Sequence, residues 1–497
     1  MDSFTRADLV VTENLLERLD RVPITRSIIA IGTLLTLAWM VESFDIGIVG
    51  SVILSLTATW KLGPADIGLL GTSGTIGIVL GLAVAGPLVD RFGRRKVLIA
   101  GVAWFSFFTL IGAAFARLDW VVLMRFVAGL GEGAVFALPY LMISELVNAK
   151  KRGWIVGVMV AILTSSYTLP NAVGAWAMSS FPPEVAWRVL FIIGGIPLLY
   201  VFVLVKWLPE SPRWLLQHGR IQEVTAFVER LEKEAGLPPD DTTLTNSEAL
   251  RTLVNQEEQR AQTGWVSVFR APYLSRSLIS WGVYAGALLY FYVPLVYGPT
   301  VFAQSGFTFG NAALFTGAMM LIAGFGGLLQ GYLADRFGRK PIVFIYSTLA
   351  AIGFTLLGSN TGISGKLAAG FLAAFFGIGI FPILKLYIAE QYPTHLRGAG
   401  TGIGEGISRF FAGVLATYYC SFILKNAGIS ALFWFVAGVG LIFVIPLMKW
   451  GRETAGISIE KAGSASLARQ WQPSPDSCQA EGKGLASGRS LPWTSGD

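Results

Sequence analysis

Long apolar stretches alternate with short polar ones over most of the chain. Crossing the hydrocarbon core of a bilayer takes about 20 mainly apolar residues as a helix. Stretches of that kind fall near 27–55, 65–89, 96–116, 119–147, 152–179, 186–208, 272–303, 308–334, 340–358, 364–389, 396–424 and 428–450. They form two sets of six, which predicts an all-α polytopic membrane protein with twelve transmembrane helices in two six-helix halves. A membrane β-barrel would instead show weak alternation over segments of about ten residues.

The polar pattern divides the chain further. A cytoplasmic N-terminal segment (1–26) is expected, then an N-terminal half (27–208), a cytoplasmic loop (209–270), a C-terminal half (271–450) and a tail (451–497). Within the loop, Trp214, Leu215, Ile221, Val224, Phe227, Val228 and Leu231 recur at helical spacing among charges. That predicts one or two amphipathic helices lying against the cytoplasmic face. The tail is rich in Gly, Ser and Pro without periodicity, and disorder is expected there.

Composition agrees with the pattern and removes whole classes of function. Hydrophobic residues make up 53% of the chain and charged ones 14%, against about 25% charged in soluble domains. A soluble enzyme, a disordered chain and a fibrous protein are excluded. The net charge of +7 invites a nucleic-acid reading, but the basic residues sit in short clusters between apolar runs. With the N-terminus inside, the loops after helices 2, 4, 8 and 10 carry Arg91, Arg94, Arg95, Lys96, Lys150, Lys151, Arg152, Arg336, Arg339, Lys340 and Arg397. The opposite loops carry only Lys61, Arg117, Arg188, Lys366 and Lys425. This excess predicts cytoplasmic termini. Acidic and basic residues mix up to Arg26, unlike a signal peptide. Cys420 and Cys478 imply no disulfide framework, and His218 and His395 lie too far apart to suggest a metal site.

The two halves also repeat. GPLVDRFGRR at 86–95 recurs as GYLADRFGRK at 331–340, and ISELVNAKKRG at 143–153 as IAEQYPTHLRG at 388–398, both at an offset of 245. Two motifs in one register mark an internal duplication, and such repeats carry sites at their interface near the bilayer midplane. Gly86 and Gly331 are expected to let neighbouring backbones approach closely. Asp90 and Asp335 stand at helix ends where a carboxylate holds a neighbouring helix N-terminus and an arginine. The set expected to lock and release the moving bundle is Gly86, Asp90, Arg91, Gly93, Arg94, Glu145 and Arg152, with Gly331, Asp335, Arg336, Gly338, Arg339, Glu390 and Arg397 in the second half.

Charges inside apolar runs cost roughly 2.5–3.5 kcal/mol each, so each is a functional candidate. Helix 1 carries Glu42 and Asp45 on one face, helix 4 carries Arg125 and Glu132, helix 10 Lys385, and helix 11 Glu405 and Arg409. At about 1.5 Å per residue, Glu132 and Arg409 fall near the midplane, and Asp45 and Arg125 share a depth in the outer half. Glu405 with Arg409 is also readable as a structural ion pair. Lys385, five residues before Glu390, is expected to snorkel to the cytoplasmic interface. Trp39, Phe44, Tyr140, Tyr167, Trp281, Tyr284, Tyr290, Tyr292, Tyr297, Phe381 and Tyr387 are positioned to line a cavity suited to a flat ring, or to pack against one another or against lipid.

The repeated G-x-x-x-D-R-x-G-R motif, the twelve helices and the long central loop resemble the major facilitator superfamily across about residues 20–455. PESPRWL at 209–215, RFVAGLG at 125–131 and FDIGIVG at 44–50 are similar to its sugar-porter branch. Helix 7, WGVYAGALLYFYVPLVYG at 281–298, lacks the Gln-Gln and Gly-Ile-Asn elements that hold hexose hydroxyls there. EQYPTHLRGAGTG at 390–402 and RLDRVPITR at 18–26 look more like the niacin, aromatic-acid and organic-ion transporters.

The resemblance implies a secondary transporter working by alternating access, with the carboxylate of Asp45 taking the proton and the guanidinium of Arg125 modulating it. Glu42 is counted with that pair. Arg409, Glu405, Glu132, Tyr284, Tyr290 and Phe381 are the expected substrate-binding residues, for an organic carboxylate moved with a proton, aromatic and heteroaromatic ones included. A sugar–proton symporter, a proton-independent facilitator and a membrane receptor stay open. No nucleotide-binding loop appears, and no enzymatic activity, cofactor, metal or nucleic-acid partner is expected. The expected setting is a monomer in the plasma (inner) membrane.

Overall fold

In lipid every backbone N–H and C=O must be satisfied within the chain, so the apolar runs become helices. The computed structural model describes residues 6–237, 265–359 and 362–454. Ten apolar helices cross in turn: span 1 (Arg26–Trp60), span 2 (Pro64–Phe92), span 3 (Arg94–Gly112), span 4 (Leu118–Leu146), span 5 (Trp154–Ser180), span 6 (Pro183–Trp207), span 7 (Tyr273–Gln304), span 8 (Phe309–Ala334), span 9 (Arg339–Ser359) and span 10 (Ile363–Glu390). An eleventh apolar stretch, Leu396–Trp450, is 55 residues long and holds two helices. Gly428, at φ 82°, breaks it in a conformation that favours glycine. Before the break the chain runs alongside span 7 in the same direction, with Ser408 bonded to Trp281 and Thr417 to Tyr297. After it the chain runs back along span 9, with Ser430 near Gly358 and Lys340 near Met448. Spans 11 (396–427) and 12 (429–450) therefore complete a twelve-helix bundle.

Burial separates the helices by task. The apolar windows of spans 1 and 7 are 83% and 89% buried, whereas that of span 6 is 33% buried. Spans 1 and 7 form the centre, and span 6 turns its Leu199 and Phe202 outward, as a lipid-facing helix does. Several central helices are interrupted. Span 1 breaks at Ile48, span 5 at Tyr167, and span 10 between Gly377 and Phe381, just before Pro382, which has no backbone N–H to give. In span 11 a π-helical stretch, Phe410–Ala416, begins directly after Arg409. Such wide turns recur at functional sites.

Small residues bring spans 2 and 4 into backbone contact. A side-chain carbon at Gly77 would collide with the Phe126 carbonyl, one at Gly81 with that of Leu130, and one at Gly129 with that of Gly74. The same contact recurs in the second half at the 245 offset, Gly326 against the Phe375 carbonyl. Gly86 and Gly331, expected to make such approaches, face open space instead. Close packing occurs one to three turns deeper, where the two helices still touch.

At the face bearing the termini, helix Arg6–Arg21 lies against loop helix Ile221–Ala235. Leu15, Leu19 and Val22 are buried there, and Arg18 grips Glu232 through two hydrogen bonds of 2.9 and 2.6 Å. Glu234 accepts the backbone N–H of Ser27 at 2.9 Å, which caps the start of span 1 and holds the Glu234 carboxyl below its usual range. The tail from 455 onward and loop residues 238–264 lie outside the described residues, and the expected disorder of the tail falls there.

Candidate functional site

Three helices of the first half converge on Asp45. It sits in span 1 just before the break, fully buried, and takes an ion pair from Arg125 of span 4 through Oδ2. Thr109 of span 3 donates to Oδ1 at 2.6 Å. Glu132, two turns along from Arg125, places Oε1 3.7 Å from the same Nη1. The guanidinium fits because span 2 has no side chain at Gly74, where a carbon would lie 2.9 Å from Nη2. Glu42 lies one turn before Asp45, completely buried, with neither carboxylate oxygen accepting a hydrogen bond. A buried acid without a partner is costly, so its presence points to use.

A second cluster belongs to the other half. Arg409 donates from Nε to Glu405 at 2.9 Å and from Nη1 to the Tyr292 hydroxyl at 2.7 Å. Tyr284 donates to the same Glu405 oxygen at 2.9 Å. The face of the guanidinium rests on the ring of Phe136, 3.9 Å from its centroid, and the Lys385 ammonium stands over that ring at 4.6 Å. Lys385 therefore turns inward, against the expectation that it snorkels to the interface. Phe136 belongs to span 4 of the first half, and its carbonyl is fixed by the Trp39 indole N–H at 2.9 Å.

These cations line a cavity of about 50 Å³. Tyr167, Tyr284, Phe291 and Phe381 wall it, packed edge to face: Tyr167 on Phe291 at 5.0 Å, Tyr284 on Phe381 at 5.8 Å and Phe291 on Phe381 at 5.9 Å. At that size it has room for a handful of waters. A six-membered ring needs more room than this. A smaller void of about 10 Å³ separates Arg125 from Tyr292, so the clusters of the two halves come within about one water of each other.

Tyr290 does not join the site. It stacks on Phe354 at 5.1 Å, and its hydroxyl points at the Ser347 carbonyl, between spans 7 and 9. The offset explains this: 245 residues separate Asp45 from Tyr290, Thr109 from Phe354, Arg125 from Gly370 and Glu132 from Gly377. A charged network in one half has become an aromatic stack in the other. The same register pairs Phe136 with Phe381, both on the cavity wall.

At the face bearing the termini, the contacts differ from the expected ones. Asp90 is exposed and makes no ion pair among the described residues; only its carbonyl is engaged, by the Trp214 indole at 2.9 Å. Arg91 and Arg336 lie exposed over their neighbours Phe92 and Phe337. The side chains of Asp335 and Arg152 lie outside the described residues. The gripping acids are Glu145 and Glu390. Glu145 meets Arg94 at 3.5 Å and accepts from the Ser211 hydroxyl; Glu390 meets Arg339 at 3.6 Å and accepts from the Thr454 hydroxyl. Arg397 binds the Ala389 carbonyl at 3.2 Å.

Two further acids, Glu210 and Glu453, cap the next helices. Glu210 accepts the Arg95 N–H at 3.0 Å, and Glu453 accepts those of Arg339 and Lys340 at 2.8 and 3.0 Å. Gly93 and Gly338, at φ 96° and 99°, make the turns that present those N–H groups. All these contacts lie within one half or the other. Each of these named contacts brackets helices of a single half.

Comparison with known proteins places these features in a family. Residues 35–417 and 296–474 match the model described as Major Facilitator Superfamily. A niacin transporter of Acinetobacter baylyi is 27% identical over 459 residues, 90% of this chain and 100% of that protein. A 4-hydroxybenzoate transporter of Pseudomonas aeruginosa is 29% identical over 377 residues, 75% of this chain and 81% of that one. Among solved structures, the xylose transporter XylE from E. coli superimposes with a TM-score of 0.68 at 23% identity, covering 88% of this chain and 99% of that one, a likeness of fold.

The clamps at the termini-bearing face make a quantitative prediction. Glu145→Gln and Glu390→Gln each remove a charge-assisted contact worth about 1.5–3 kcal/mol. Because the two clamps sit in separate halves, their effects on thermal stability in detergent are expected to add within about 0.5 kcal/mol. A double mutant no less stable than the worse single one would mean that they form one network across the halves.

Proposed function

The chain belongs to the Major Facilitator Superfamily, and on that premise we propose that it is a proton symporter of a small aromatic or heteroaromatic carboxylate. It is a multi-pass membrane transporter of a small organic solute and not an enzyme. The observation that carries the finer reading is the cavity, lined by Arg409 and Phe136 together with further aromatic rings. A planar ring slides between such rings, and a guanidinium suits a carboxylate through parallel hydrogen bonds. Arg409 spends Nε on Glu405 and Nη1 on Tyr292, which leaves Nη2 for a ligand. A sugar needs many hydrogen-bonding groups, and this lining offers few. The named substrates of similar proteins, niacin and 4-hydroxybenzoate, support the choice.

Proton coupling falls to the first half. Asp45 accepts from both Arg125 and Thr109, which fixes the acid beside its counter-ion while that geometry lasts. Asp45 and Arg125 lie in the same half, so the step that frees the acid to take a proton is a bend of span 1 at its break beside Asp45, which carries Asp45 away from Arg125. Glu42 and Glu132 stand close by as acids without hydrogen-bond partners, positioned to pass it on. The basic clusters at the termini-bearing face support a cytoplasmic side for it. A similar protein of Escherichia coli is described as an inner membrane transporter, which supports the same membrane here.

Two predictions follow from this geometry. Asp45→Asn is expected to abolish accumulation against a concentration gradient driven by pH, while exchange of substrate across proteoliposome membranes continues; uphill uptake at the parental rate would remove Asp45 from coupling. For the substrate, Arg409→Lys keeps the charge but loses the planar fork, and carboxylate affinity is expected to fall about tenfold or more, about 1.4 kcal/mol. If Glu405→Gln combined with Arg409→Gln restored transport, the pair would be structural and Arg409 would not touch the substrate.

A further inference from the structure

Two cations of the second half rest on one aromatic ring of the first. Lys385 and Arg409 lie on spans 10 and 11, and the Phe136 ring beneath both lies on span 4. Bringing two positive charges to one ring in an apolar interior is unfavourable unless something negative is to share them. The acids nearby do not discharge that role for Lys385. Glu405 is engaged by Arg409 and Tyr284; Glu42, the other acid within electrostatic reach of Lys385, accepts no hydrogen bond from a described residue, and the Lys385 ammonium donates none to any described residue. Both Lys385 and Arg409 line the cavity, and the Arg409 Nη2 is likewise uncommitted. Two donors are therefore left over in the lining of an aromatic cavity.

We propose that Lys385 is the second anion ligand of this site, sharing a substrate carboxylate with Arg409, and that Phe136 holds both cations while the site is empty. The inference rests on the aromatic-carboxylate reading and adds a specificity-determining residue to it. A carboxylate has two oxygens, one for Nη2 of Arg409 and one for the Lys385 ammonium. A charge-assisted hydrogen bond outweighs a cation–ring contact, so an arriving carboxylate draws both cations from the ring. Because Phe136 and the cations belong to different halves, that exchange releases a contact between the halves at the moment of binding. Substrate binding and movement of the bundle are thereby linked through one ring. Phe136 keeps its place throughout, since the Trp39 indole fixes its backbone.

The test is calorimetric binding of nicotinate, 4-hydroxybenzoate and gallate to the purified full chain, each beside its neutral carboxamide. Lys385→Gln is expected to weaken carboxylate binding at least tenfold and leave carboxamide binding unchanged, while Lys385→Arg keeps carboxylate affinity within about threefold. Phe136→Leu is expected to act in the opposite direction and tighten carboxylate binding, because the cations no longer have to leave a ring. Parental carboxylate affinity in Lys385→Gln, or an equal loss for carboxamides, overturns the role of Lys385. Weaker carboxylate binding in Phe136→Leu overturns the role of the ring. Should Lys385→Gln fail to fold, Lys385→Arg and Phe136→Leu decide the matter by the same criteria. A parent protein that binds none of the three carboxylates removes the aromatic-carboxylate reading itself and this inference with it; a parent that binds them removes only the inference if the variants do not respond.

Discussion

A guanidinium group cannot lose its charge, and in the middle of an apolar bundle it has no water to turn to. Arg125 and Arg409 are both in that position, with side chains 3% and 6% exposed. Each must be paired and hydrogen bonded on the spot, and much of the central architecture serves that need. Around Arg125, span 2 gives up a side chain at Gly74, span 1 supplies Asp45, span 3 steadies Asp45 with Thr109, and Glu132 adds a second acid. Around Arg409, Glu405 and Tyr292 take two of its donors and Phe136 takes its face. The halves solve the same electrostatic problem differently. One sets its arginine between two acids, and the other sets it between one acid, a tyrosine hydroxyl and a ring.

Duplication explains how this asymmetry arose without loss of the frame. The 245 offset preserves the backbone contacts, with Gly81 on Leu130 repeated as Gly326 on Phe375. It also preserves the acid at the end of the fourth helix of each half, Glu145 and Glu390, with a hydroxyl partner for each. What changed is the interior. Asp45, Thr109 and Glu132 correspond to Tyr290, Phe354 and Gly377, a polar cluster turned into a stacked pair with a glycine making room beside Tyr290. The first half therefore holds the titratable acids and the second holds the cations that face a ring-shaped space, with Phe136 reaching across.

The helices, the two-fold repeat and most of the buried charges were legible in the sequence, because an apolar run and a charge within it are both local signals. Asp45 and Arg125 were matched by depth along their helices, and in the structure they form an ion pair. Depth alone does not give direction around a helix, which is why Lys385 reads as a residue reaching outward although it turns onto Phe136. Tyr290 sits at a plausible depth too, but on the side of span 7 that faces Phe354. The acids of the termini-bearing face were assigned in part. Glu145 and Glu390 stood in the repeat, whereas their hydroxyl partners lie 66 and 64 residues further along the chain, beyond the reach of spacing arguments. Glu210 with Ser211 and Glu453 with Thr454 formed the overlooked signal, an acid followed by a hydroxyl after the sixth and twelfth helices.

The central claim is that an aromatic carboxylate and a proton cross together. It is tested most directly by reporting internal pH in proteoliposomes while substrate is added outside, with protein-free vesicles subtracted. Nicotinate or 4-hydroxybenzoate is expected to acidify the interior in step with its own uptake, and xylose is expected to do neither. Uptake of the carboxylate without proton movement, or acidification driven by xylose, would contradict the account.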